Sequence, residues 1–199
     1  MNRIITIGRE FGSGGRELGR RLSEIMEVAY YDQEIISEIA KRTELSEQYV
    51  HQFMDQHPVF SYPIHIGGRF TNAAHPLLEQ SQQIYASQRE IILEMAEHSD
   101  CIIVGRCADF ILADKKPVRL FIHADMPSKI ARCREKDPEE KRTDAELERA
   151  IKEIDKGRAA YYNRFTGLKW GDRRYYDLCI NTTNWTIRHL AERLSGMLY

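Results

Sequence analysis

The sequence predicts a doubly wound α/β domain, with a parallel sheet of about five strands and helices on both faces. Three observations carry that prediction. Short apolar runs recur at residues 4–7, 101–104 and 117–122, the pattern of strands covered by helices on both sides. Between them lie longer stretches with apolar residues at helical spacing. The first strand also runs straight into a glycine-rich loop and then a helix, a unit that α/β folds place at the carboxyl edge of the sheet.

That first unit is RIITIGREFGSGGRELGRRL, residues 3–22. Ile4, Ile5 and Ile7 read as the strand, and Leu18, Leu22, Ile25 and Met26 as the buried face of the helix. Gly8, Gly12, Gly14 and Gly15 fall between them. Glycines let backbone N–H groups turn inward around an anion, and the helix N-terminus adds partial positive charge, so the unit points to a bound phosphate. Arg9 and Arg16 flank the loop and could neutralise more of that charge.

No named phosphate motif fits in full. The form G-x-x-x-x-G-K-[ST] needs a lysine for the phosphates and a hydroxyl for Mg²⁺. With Gly14 as its last glycine, Gly15 stands in the lysine slot and Arg16 and Glu17 follow where the hydroxyl belongs. Sliding by one residue puts Arg16 in the lysine slot and Glu17 in the Ser/Thr slot, but Glu10 then replaces the first glycine. The dinucleotide form G-x-G-x-x-G fits Gly12 and Gly14 and meets Glu17 at its third glycine. The looser spacing Gly8, Gly12, Gly14 occurs in short-chain dehydrogenases, which need a Tyr-x-x-x-Lys pair, and no tyrosine here has a lysine four residues on.

Residues 28–34 predict a short strand that leaves Asp32 at its carboxyl end, beside the loop. Helical spacing continues from residue 33 to about 54, with a break and a new N-cap between Thr43 and Ser46. Residues 55–78 lose all period: prolines, a Gly-Gly pair and aromatics, with His57, His65, Arg69 and His75 among them. These side chains could wall a base or sugar, which makes Arg69 a candidate substrate contact. A long helix spans 76–98, and the strand at 101–104 runs into Gly105-Arg106. A cation immediately after a buried parallel strand lies on the binding edge, so Arg106 is a candidate phosphate contact. The next buried strand is read over 117–125, and Asp125 at its end caps a basic helix carrying Lys129, Arg132 and Arg134. Residues 135–165 are dense in charge, and Arg132, Arg158 and Arg164 bracket a helical hairpin that could close over phosphates. A last strand at 177–181 and an amphipathic helix from Trp185 onward complete the pattern.

Composition describes an ordinary globular chain of 199 residues, 42% hydrophobic and 30% charged, with room for one domain. A net charge of −1 gives no bias toward nucleic acid or acidic membrane. Cys101, Cys107, Cys133 and Cys179 are scattered without metal spacing and read as reduced, mostly buried thiols of a cytoplasmic protein. Neither a membrane span nor a signal-peptide pattern is expected from the hydropathy pattern.

Taken together, these residues resemble the cytidylate kinase-like family, a branch of the P-loop nucleoside monophosphate kinases. The resemblance rests on IITIGREFGSGGRELG, AYYDQEII, IIVGRCADFIL, the basic helix at 124–134, and YYNRFTGLKWGDRRYYDLCINT. It implies a three-layer P-loop kinase fold in a single domain over 1–199. The core would be 1–34, 99–125 and 166–199, with a monophosphate-binding helical segment at 35–98 and a helical lid at 126–165. It also implies ATP as donor, Mg²⁺, and an acceptor resembling CMP or dCMP or a related small phosphate compound. By position, Gly12, Ser13, Gly14, Gly15, Arg16 and Glu17 match the donor cradle, while Asp32, Gly105 and Arg106 match acceptor contacts. Arg16, Arg106, Arg132, Arg158 and Arg164 are expected to act on the transferring group. Cytidylate kinases carry Gly-Lys-Gly-Thr where this chain has Gly14-Gly15-Arg16-Glu17, so the metal ligand is left open, with Ser13 or Glu17 within reach of the role. The alternative is a nucleotide-binding regulatory module that keeps the fold without the chemistry.

Overall fold

Strand β1 (Ile4–Arg9) shows why the sheet forms as a middle layer. Ile5 and Ile7 enter one apolar cluster and Ile4 the other. In β3 (Cys101–Val104) the same alternation sends Cys101 and Ile103 one way and Ile102 and Val104 the other. A period of two with both faces apolar demands helices on both sides. In the computed structural model, which describes residues 2–55 and 75–198, five parallel strands pair in the order β2-β3-β1-β4-β5. The remaining strands are β2 (Ala29–Tyr31), β4 (Val118–His123) and β5 (Leu178–Asn181).

One face is covered by α1 (Gly15–Met26) and α8 (Ile187–Leu198), whose Leu18, Leu22, Leu190 and Leu194 share a cluster with Ile5, Ile7 and Ile102. The other face is covered by α2 (Gln33–Thr43), α3 (Glu47–Asp55), α4 (His75–His98), the single turn α5 (Ala108–Ile111), and the later part of α7 (Asp144–Thr166). Helix α6 (Met126–Lys136) precedes α7 and packs on it.

Side-chain caps and a glycine set the ends of several helices. Asp125 caps α6 by accepting the Ser128 N–H at 2.9 Å. Thr143 and Glu146 form a reciprocal capping box at the start of α7, and Gly167, at φ 70°, ends that helix. Ser46 accepts the Tyr49 N–H at 3.2 Å, which explains the break between α2 and α3.

Strand order places the site. The chain leaves β1 toward β2 and β3 on one side, then crosses to β4 and β5 on the other. The crevice at the carboxyl end of β1 is therefore the switch point, where open α/β sheets bind ligands. Ile7 pairs with Val104 and Arg9 with Ile122, so Arg9 and the Gly105-Arg106 corner emerge side by side at that edge.

The cysteine expectation is corrected in part. All four thiols are free, and Cys101 and Cys107 are buried, but Cys133 is half-buried and Cys179 is exposed. Strand β5 is an edge strand with alternating burial, so its second residue faces out. Among the described residues no helix is long and apolar enough to cross a membrane.

Candidate active site

The loop after β1 is held from three sides. Glu10 donates its N–H to the Ile122 carbonyl at 3.0 Å, continuing the β4 pairing. Ser13 is fully buried, and its hydroxyl donates to the Glu10 carbonyl at 2.8 Å, closing the turn from within. The Ser13 carbonyl accepts the Thr182 hydroxyl at 2.7 Å, tying the loop to the segment after β5. Gly14, at φ 82°, is the N-cap of α1, and a Cβ there would collide with the Ile187 side chain. The backbone thus turns in the left-handed region under a packed side chain, which only glycine permits.

Beside the loop, cations and carboxylates converge. Asp32 is 2% exposed at the end of β2, with Arg16 Nε at 2.5 Å and Arg9 Nη2 at 3.8 Å. Its carboxylate therefore orients both arginines of the loop. Removing that charge takes an ion-pair partner from buried Arg9 and from Arg16. Asp32→Asn is expected to lower stability by about 3 kcal/mol, the lower end of the range for a broken buried pair because water screens the half-exposed Arg16. A urea unfolding midpoint measured against wild type checks this.

Across from Asp32, the chain makes a left-handed corner in which Gly105, Arg106 and Cys107 take φ values of 72°, 58° and 54°. Two successive non-glycine residues in that region cost about 1–2 kcal/mol each, and strain of this kind gathers at binding sites. Buried Gln88 accepts the Tyr161 hydroxyl at 3.0 Å and donates to the Arg106 carbonyl at 2.8 Å, which holds the corner. A Cβ on Gly105 would overlap the Arg9 guanidinium. Arg9, Arg106 and Arg158 line one pocket with Asp109, Tyr162 and Tyr176. Arg9 and Arg106 are 7% and 6% exposed, so their charge acts at low dielectric, where an anion gains most from it. Arg158 reaches the Arg9 carbonyl at 3.4 Å and lies over the Phe11 ring.

Asp109 accepts the Tyr162 hydroxyl at 2.6 Å, yet burial pushes its carboxyl above the usual carboxylate range. The folded state thus holds this proton more tightly than the unfolded chain does. The stability that Asp109 contributes is present in full below its unfolded pKa of about 3.9 and is lost as pH rises through the higher folded value. Asp109→Asn, which carries no charge at any pH, is expected to gain on wild type as the pH is raised from about 4 toward neutrality. Chemical denaturation at several pH values reads that difference.

Most of the expected site residues come together: the Gly12–Arg16 loop, Asp32, Gly105, Arg106 and Arg158 all meet at the carboxyl edge of β1 and β3. Arg132 stands at the other flank of the loop. Its Nε lies 3.9 Å from a Cβ position on Gly14, and its Nη2 donates to the Thr182 carbonyl at 2.6 Å. Arg164 is elsewhere, exposed, donating to Ser81 of α4 and lying over Phe165. The three hairpin arginines therefore do not form one cluster. The expectation for Arg69, with the stretch around it, lies outside the described residues. Arg9 was legible only as a flanking charge, and its central place follows from the Gly105 contact. Asp109 and Tyr162 carried no local pattern that the sequence could show.

The donor set does not build a Mg²⁺ site of its own. Glu17, in the slot of the motif hydroxyl, pairs with Arg21 at 2.7 Å. Ser13 turns its hydroxyl into the loop, and Asp32 is shared by two guanidiniums. Among the described residues no group of three or more His, Cys, Asp or Glu side chains could hold a metal.

A family model described as "Cytidylate kinase-like family" matches residues 4–184, most of the chain. The chain belongs to the cytidylate kinase-like family. An uncharacterized protein from Eubacterium ventriosum ATCC 27560 superposes with a TM-score of 0.72 at 27% identity, covering 99% of this chain and 98% of that one. Shikimate kinase from Bacteroides thetaiotaomicron superposes at 0.55 with 16% identity, covering 98% of each chain. Shikimate kinase from Acinetobacter baumannii, in complex with shikimate, superposes at 0.54 with 14% identity, covering 100% of this chain and 93% of that one. At such identities the shikimate kinases show the fold alone, and it is the P-loop kinase fold expected of this cytidylate kinase-like chain. No curated protein matches the sequence.

Proposed function

We propose that this cytidylate kinase-like protein is a phosphotransferase of the nucleoside monophosphate kinase type. It transfers the γ-phosphoryl of Mg²⁺-bound ATP to an acceptor resembling CMP or dCMP, or to a related small phosphate compound. One observation supports this most: a phosphate-type glycine loop and a pocket lined by Arg9, Arg106 and Arg158 share the carboxyl edge of β1 and β3. A donor phosphate chain on the loop and an anionic acceptor on the arginines would face one another there.

The chemistry asks for positioning and charge neutralisation rather than a covalent intermediate. The loop amides and Arg16 would hold the donor phosphates, and Arg106 with Arg9 the acceptor phosphate. Arg158 would neutralise charge on the transferring group. Asp32 would act on Arg9 and Arg16 as their counter-ion, and Arg132 would flank the donor side. Arg164, bonded to Ser81, would link the lid segment 126–165 to the acceptor segment 35–98. Mg²⁺ would be carried in by the phosphates, which suits a cation that keeps several of its waters. The cytoplasm, with its ATP and reduced thiols, is the natural setting.

The test is turnover of ATP and Mg²⁺ against a panel of nucleoside monophosphates, CMP and dCMP first, read as ADP and nucleoside diphosphate. Product with one acceptor supports the kinase. ATP binding without product on any acceptor supports the second reading, a regulatory module, which the Glu17–Arg21 pair in the metal-hydroxyl slot favours.

A further inference from the structure

The loop has no lysine of its own, and its lysine slot has no room for one. A Cβ on Gly15 would stand 2.6 Å from Arg9 Cβ and 3.2 Å from Ile122 Cβ. Yet a lysine does enter the loop, from α6. Lys129 is 5% exposed, the only buried lysine among the described residues. Its Cβ and its carbonyl oxygen both lie 3.0 Å from where a Cβ on Gly12 would be, so glycine at 12 is what lets α6 approach so closely.

The end of that side chain reaches two carboxylates. Lys129 Nζ lies 2.7 Å from Glu10 Oε2 and 3.2 Å from Asp155 Oδ2. The other Asp155 oxygen accepts the Phe11 N–H at 2.6 Å. Asp155 therefore takes one backbone N–H of the loop and one ammonium, the pair of donors that a lysine-bearing phosphate loop offers to phosphate oxygens. An internal carboxylate stands where an external anion would find the same partners. Burial also pushes the Asp155 carboxyl above its usual range, so its charged form sits at a cost that leaving the loop would relieve.

We propose that Lys129 is the phosphate-loop lysine of this chain, supplied by α6 instead of by the loop. Asp155 holds its place on Phe11 N–H and Lys129 Nζ until the β- and γ-phosphates of a nucleoside triphosphate displace it. The proposal rests on the kinase reading above, since it needs a triphosphate donor. Its rival is a purely structural strap, in which Lys129 only ties α6 and α7 to the loop.

The two differ in what they do to phosphate recognition. Binding of mant-labelled ATP and mant-labelled AMP is titrated in Mg²⁺ buffer for wild type, Lys129→Gln and Asp155→Asn, with the melting temperature of each. A lysine on the phosphates predicts that Lys129→Gln loses about 10- to 100-fold in ATP affinity while AMP affinity holds. It also predicts that Asp155→Asn, which keeps the ammonium and removes one of its two carboxylates, binds ATP as tightly as wild type or more tightly. A strap predicts that both variants weaken together, for ATP and AMP alike, in step with their melting temperatures. An unchanged ATP-to-AMP ratio in Lys129→Gln overturns the proposal and leaves the kinase reading standing. Should Lys129→Gln fail to fold, weaker ATP binding by a folded Asp155→Asn overturns it instead. No ATP binding by wild type overturns both.

Discussion

Arg106→Ala is expected to lower turnover by about 10³-fold while the protein stays folded. The activity loss follows from where the guanidinium sits: 6% exposed, in the pocket shared with Arg9 and Arg158, at the end of a strand paired with β1. Arg106 supplies a planar, permanently charged donor there, and Arg9 and Arg158 in the same pocket cannot take its place at the corner without moving. The fold survives because what holds the corner is main chain. Gln88 donates to the Arg106 carbonyl, which alanine keeps. Alanine also tolerates φ 58° no worse than arginine, since both carry a Cβ. Steady-state kinetics with the acceptor found in the panel, beside a circular dichroism spectrum, measures both halves. A wild-type rate would remove Arg106 from the mechanism.

Gly15→Lys carries the second large effect, and its sign is against intuition. The substitution restores the lysine of the standard motif at its standard position, so motif reasoning expects a gain. The structure predicts a loss instead. A side chain at 15 meets Arg9 Cβ at 2.6 Å and Ile122 Cβ at 3.2 Å, and neither is a flexible end that could step aside. Overpacking of this kind costs about 1–3 kcal/mol. The relief available is to push Arg9 outward, which breaks its contact with Asp32 and empties the pocket of one of its buried charges. Turnover should fall at least about 100-fold, as when one preorganised donor is lost, and the thermal midpoint should drop with it. A variant more active than wild type would mean that the loop accepts its own lysine and that Arg9 is dispensable.

What the sequence made legible is what local rules decide. Ile4, Ile5 and Ile7 announced a strand buried on both faces, and the glycines after them a tight phosphate-type turn. Gly105-Arg106 could be placed on the binding edge because a parallel strand that ends in a charge has few other places to put it. Longer-range facts were out of reach. Arg158 and Arg164 lie six residues apart on α7, about 240° around the helix axis, so one turns toward the loop and the other toward α4. By the same geometry Lys129 and Arg132, three apart on α6, share a face, and that face meets the loop. The spacing was visible; which face of α6 turns inward was not. Asp155 was hidden among many acids of a charged segment, and its contacts with Phe11 N–H and Lys129 Nζ set it apart.

The central claim is that the glycine loop and the Arg9–Arg106–Arg158 pocket are two halves of a single transfer path. A bisubstrate compound tests it most directly: adenosine joined through five phosphates to the acceptor nucleoside that turns over, or to cytidine if none does. Calorimetry with wild-type protein should show it binding at least about 100-fold more tightly than ATP or the monophosphate alone, because the second half binds at high effective concentration. Arg106→Ala should abolish most of that gain. Binding no tighter than the better half would mean that the loop and the arginines do not face one another across a phosphoryl path.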